Sequence, residues 1–120
     1  MTYDEIKNLL SIVSDPATKL EMVMDIGAHL PQVPSGATCN EITGCASRVE
    51  ICQLGNRFYG TADSAIVRGI VAIMISMVDG KTNAEIKQLD LLNMFTALNL
   101  NLGAGRLNGI NSMIRFLQNL

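Results

Sequence analysis

One histidine, three prolines, 4% aromatic residues and no cluster of basic side chains in 120 residues narrow this chain before any motif does. With a single histidine, no Cys-His-Asp order can be defended, and the carboxylates are dispersed, so hydrolytic chemistry has little to build on. The nine Lys and Arg residues are scattered singly and the formal net charge is -2. No basic stripe is offered to phosphates or to lipid headgroups, so neither nucleic acid nor a membrane is an expected partner. The apolar stretch Gly69 to Val78 is about half the roughly 20 residues that a membrane helix needs, and reads as a core helix. The opening residues Met1-Thr2-Tyr3-Asp4-Glu5 are acidic where a secretory leader is basic, so a cytoplasmic location is expected. Three cysteines, Cys39, Cys45 and Cys52, leave one unpaired under any internal pairing; free thiols in a reducing compartment are the expectation.

What is present suits a globular fold. Apolar residues make up 48% of the chain and charged residues 17%, a balance that folds and is not disordered. A single domain spanning residues 1–120 is long enough to bury one core without staples. Ile6, Leu9, Leu10 and Val13 recur at helical spacing. Asp15 as cap and Pro16 at the first position predict a second helix with Leu20, Val23, Met24 and Leu30 on its apolar face, ended by Pro31 and Pro34.

Beyond the connector Gln32 to Gly36, β-branched residues rise. Ser47 to Leu54 alternates, with Val49 and Ile51 on one face and Arg48, Glu50 and Cys52 on the other. Gly55-Asn56 signals a tight turn into Arg57 to Thr61, and the chain around Cys39 to Ile42 completes a small sheet. Asp63 is expected to cap a central helix, apolar on nearly every side, that Gly80 terminates. Thr82 to Glu85 matches a capping box, and helical turns follow with Leu89, Leu92, Met94, Phe95 and Leu98. After a break at Gly103-Ala104-Gly105, a last helix carries Leu107, Ile110, Met113, Ile114 and Leu117. The predicted fold is α+β: a small antiparallel sheet of about three strands packed against helices from both ends of the chain.

Few residues invite chemistry. The cysteines lie six and seven positions apart, outside the C-x₂₋₄-C spacing of compact zinc sites, so no metal is expected. His29 reads as a helix-end residue bonded to helix carbonyls or water. Gly103-Ala104-Gly105-Arg106-Leu107-Asn108 lacks the third glycine of a dinucleotide loop and follows no strand of a βαβ unit. Cys45 is different. It follows Gly44 where a loop approaches a strand, a place from which a thiol can reach a partner, and the start of the central helix could favour an anion nearby. A buried, inert thiol is the alternative.

Three ordered segments resemble one family, the SufE-like sulfur acceptors that serve pyridoxal-phosphate cysteine desulfurases in iron-sulfur cluster assembly. Asn40-Glu41-Ile42-Thr43-Gly44-Cys45-Ala46-Ser47-Arg48-Val49 is similar to its polar approach, Gly-Cys, small residue, Ser and strand valine. Ala62-Asp63-Ser64-Ala65-Ile66-Val67-Arg68-Gly69 resembles its Ser-Asp-Ala-x-Ile-Val-Lys-Gly helix start. Gly105 to Met113 resembles its Arg-x-x-Gly-hydrophobic-x-x-Met segment. The resemblance implies an accessory protein and not an enzyme, with no cofactor of its own. Cys45 would take sulfur from a SufS-like desulfurase, stimulate it, and pass the sulfur to an iron-sulfur scaffold. Glu41, Gly44, Ser47, Asp63 and Arg106 are the implied loop and partner-binding residues. Departures are Glu50 in place of a tryptophan, Ala62 in place of a serine, the short Gly55-Asn56 turn, and the additional Cys39 and Cys52, candidates for relay thiols. A thiol-based interaction or metal-binding module is the competing function.

Overall fold

The computed structural model describes all residues 1–120, arranged as two helices, a three-stranded antiparallel sheet and four further helices. Helix α1 (Tyr3–Ser11) starts on a reciprocal Thr2/Glu5 capping box and buries Ile6 and Leu10, one turn apart. Helix α2 (Pro16–Ala28) is capped by Asp15, whose carboxylate accepts the Thr18 N–H. It stops at His29, before Pro31 and Pro34, and the imidazole Nδ1 lies 2.8 Å from the Asp25 carbonyl. Of its expected apolar face only Val23 is fully buried.

Strands β1 (Thr38–Glu41), β2 (Val49–Leu54) and β3 (Arg57–Ala62) pair in the order β1-β2-β3. The register sets Cys39 opposite Cys52, Glu41 opposite Glu50 and Ile51 opposite Gly60. Val49, Ile51 and Phe58 look into the core, while Glu50, Cys52 and Tyr59 take the other face. Strand β2 begins two residues later than the alternation predicts, because Ser47 and Arg48 belong to the loop that carries Cys45.

Helix α3 (Ala65–Val78) runs through the centre with nine buried residues, as its all-round apolar sequence requires. It crosses α2 at backbone distance: a Cβ on Gly27 would strike the Gly69 backbone, and one on Gly69 would strike Val23, so both positions must be bare. Its cap is Ser64, whose Oγ accepts the Val67 N–H, and not Asp63. Helices α4 (Asn83–Lys87, with the Thr82/Glu85 capping box), α5 (Leu91–Thr96) and α6 (Ala104–Gln118) close the fold. Helix α6 starts straight after Gly103, so Ala104 and Gly105 form its first turn and no break separates them from it. Its Ile110, Met113, Ile114 and Leu117 join the core, whereas Leu107 is 48% exposed. No helix is long and apolar enough to cross a membrane.

Candidate functional site

The loop from Ile42 to Arg48 leaves β1, passes over α6 and returns as β2. Its two anchors differ in kind. On entry, Ile42 is buried and its N–H bonds the Val49 carbonyl at 2.9 Å. On exit, the Arg48 N–H donates to Asp63 Oδ1 at 3.1 Å and the Asp63 N–H donates to the Arg48 carbonyl at 3.3 Å. Asp63 therefore serves the sulfur loop, and Ser64, one residue on, caps the helix. The Arg48 guanidinium reaches back to Glu41 (3.5 Å) and Glu50 (3.8 Å), bridging two carboxylates that the register sets directly opposite each other.

Cys45 lies in the middle of this loop, not at its junction with β2 as the sequence predicts. Gly44 turns the chain with φ +86°, a conformation that glycine adopts without strain. The turn directs the sulfur inward, where Sγ faces the Gly109 carbonyl at 3.8 Å. Beside it opens a cavity of about 380 Å³ whose lining includes Ser47, Ser64, Val67, Arg106 and Met113. Burial pushes the Cys45 thiol above its ordinary pKa. The start of α3, Ser64 and Val67, lines the same cavity, but the hydrogen-bond partner of the sulfur is a carbonyl inside α6, a partner for a protonated thiol and a poor neighbour for a thiolate. Arg106 donates to the Leu102 carbonyl at 3.3 Å and forms no ion pair, so its charge is left at the cavity.

The three thiols do not come together. Cys39 and Cys52 form a disulfide across β1 and β2, which corrects the expectation of free thiols, and Cys45 alone is free. The pairing follows from register, since two cysteines directly opposite on antiparallel strands have their Cβ atoms within bonding reach. Cys52 is only 1% exposed, whereas Glu50 and Tyr59 on the same face are half-buried and Cys39 is exposed. In this form neither cysteine offers a relay thiol, and no three His, Cys, Asp or Glu side chains converge as a metal site.

Glu41, Ser47, Asp63 and Arg106 thus gather around one loop, although Glu41 reaches it only through Arg48. Sequence reasoning missed Arg48, Gly109 and Ser112. Gly109 did leave a signal: a glycine on the buried face of a helix forfeits helix propensity and usually marks a close approach.

Fold and site define a small α+β protein that carries its one free cysteine on a sheltered loop, with the sulfur turned inward. The chain belongs to the SufE family: the family described as "SufE: Fe-S metabolism associated domain" matches residues 4–120. It is 32% identical over 126 residues to an uncharacterised SufE-like protein of Rhizobium meliloti, covering 95% of this chain and 90% of that one. It is 30% identical over 122 residues to the sulfur acceptor protein CsdE of Escherichia coli, covering 94% of this chain and 83% of the other. Among solved structures, the solution structure of a hypothetical protein from Thermus thermophilus aligns with a TM-score of 0.70 over 99% of this chain and 94% of that one. At 15% identity that likeness shows the fold alone.

Proposed function

We propose that this protein is a sulfur acceptor, taking the terminal sulfur of a persulfide on a pyridoxal-phosphate cysteine desulfurase onto Cys45 and delivering it to an iron-sulfur scaffold. The carrying observation is the one free thiol of the chain, held partly buried on a short loop within a SufE-family domain. A relative of similar length bears the name sulfur acceptor.

The chemistry is thiol exchange with one additional sulfur. The Cys45 thiolate attacks the outer sulfur of the partner's persulfide, the S–S bond there breaks, and its electron pair leaves with the partner cysteine as a thiolate. Cys45 then holds the persulfide, with no net oxidation and no cofactor on this chain. Only the thiolate attacks, and burial disfavours it, so docking has to lift the loop. Asp63 and Arg48 form the hinge side of that movement. Ser47 and Arg106, at the cavity, face the incoming partner, and the same shelter keeps the loaded sulfur from oxidants and stray thiols. Cys39 and Cys52 could serve as relay thiols only after their bond is reduced. A metal-binding module finds less support, because two of the three sulfurs are spent on each other.

The test is to incubate the protein with a cysteine desulfurase, pyridoxal phosphate and cysteine, and then to weigh it. One added sulfur is expected, together with a faster desulfurase turnover. Cys45→Ser should remove both; transfer that survives this substitution would overturn the proposal.

A further inference from the structure

We propose that Gly109 is the seat of the sulfur loop, the position whose missing side chain allows Cys45 to rest with its thiol turned in. The proposal rests on the sulfur-acceptor reading for its biological meaning, but its first test does not depend on it.

A Cβ placed on Gly109 would stand 3.0 Å from Cys45 Sγ and 3.6 Å from both Cα and Cβ of Cys45. All three nearest atoms belong to one residue, and that residue is on a loop. The next turn of α6 completes the floor: a Cβ on Gly44 would stand 2.6 Å from Ser112 Oγ. Ser112 is held in place by its own bond to the Asn108 carbonyl (3.0 Å) and by Arg115 (3.2 Å). Glycine on the loop thus meets serine on the helix, and glycine on the helix meets cysteine on the loop. The only polar contact between Cys45 and this floor is the thiol facing the Gly109 carbonyl at 3.8 Å, a weak bond. Shape does the holding here, so a partner can lift the loop without breaking a strong interaction.

The opposing forces make Gly109→Ala informative. Alanine favours a helix over glycine, so the substitution supports α6 while it crowds the sulfur. The member that yields is then the loop. Gly105→Ala is the control, since a Cβ there has no neighbour within 4 Å in the same helix.

The experiment measures alkylation of Cys45 by iodoacetamide in the native protein, with thermal melts and labelling in denaturant to set the contribution of global unfolding. Gly109→Ala is expected to label roughly five- to thirty-fold faster than wild type, the range over which one close contact tips a two-state equilibrium. Its labelling should also reach half-maximum at a lower pH, because lifting the loop removes the burial that holds the thiol's pKa up. Gly105→Ala should match wild type. A Gly109→Ala rate equal to wild type, or an increase fully accounted for by global unfolding, would overturn the proposal. Where a desulfurase loads the protein, the Gly109→Ala persulfide should also lose its sulfur to dithiothreitol faster. If loading fails in wild type, the acceptor reading falls and the alkylation result still decides the seat.

Discussion

The two ends of the sheet are fastened by different means. At the end where Gly55-Asn56 turns β2 into β3, Asp79 at the foot of α3 accepts the Phe58 N–H at 2.9 Å and pairs with Arg57 at 3.1 Å. The Gly80 N–H adds a bond to the Asn56 carbonyl at 2.8 Å, and the Cys39–Cys52 bond ties β1 to β2 close by. At the other end, the Cys45 loop has the Asp63 bonds at its exit, an exposed ion-pair bridge through Arg48, and contacts between glycines and small side chains. The turn end has a covalent tie and a partly buried carboxylate bond, whereas at the loop end the bonds are exposed and lie at the loop's exit, and the sulfur itself is held by fit. The proposed acceptor role would use this division, because it lets the Cys45 loop open while the rest of the sheet stays closed.

Breaking the fixed end should cost stability and leave the thiol alone. Under non-reducing conditions, Cys39→Ala with Cys52→Ala is expected to lose up to about 3 kcal/mol in denaturant unfolding, from the entropy of a loop of this length. With a reductant present the double variant should match wild type, and in neither condition should native-state labelling of Cys45 change beyond the effect of global unfolding. Next in size, Asp79→Ala leaves the N–H of the buried Phe58 without its acceptor and should cost about 2 kcal/mol. Its effect on Cys45 should again be confined to global unfolding.

Breaking the loop end should do the reverse. Asp63→Ala is expected to cost about 1 kcal/mol or less, since the bond that it removes is exposed, yet to speed Cys45 alkylation well beyond what that loss explains. The smallest effect is on pH. The folded thiol's pKa is raised, so shelter is intact below the ordinary thiol range and weakens as pH climbs through the folded value. Half-maximal alkylation of the native protein should therefore fall above the value of about 8.5 typical of a free cysteine, and drop when the loop is lifted. A midpoint at or below the free-thiol value would remove the distinction between the two ends.

The elements were legible because their signals are local. The Asp15-Pro16 start, the Thr82/Glu85 box, the Gly55-Asn56 turn and the all-apolar α3 each depend on neighbours within a turn or a hairpin. Gly44-Cys45 was legible as a loop thiol, and the flanking segments pointed to Asp63 and Arg106. What stayed hidden depends on residues far apart in the chain. The Cys39–Cys52 bond needs the strand register, and 13 positions of separation do not announce it. Asp63 looked like a helix cap because it stands one residue from Ser64, and only the return of β2 brings it the Arg48 N–H. The inward sulfur needs α6 beneath a loop 64 residues earlier. An isolated sequence shows Gly109 as a flaw in a helix, not as room for a sulfur atom.

The most direct test is to load the wild-type protein with a desulfurase, block free thiols, digest without reductant and locate the added sulfur by peptide mass. It should lie on the peptide containing Cys45, with Cys39 and Cys52 still joined to each other. Added sulfur on Cys39 or Cys52, with none on Cys45, would contradict the account.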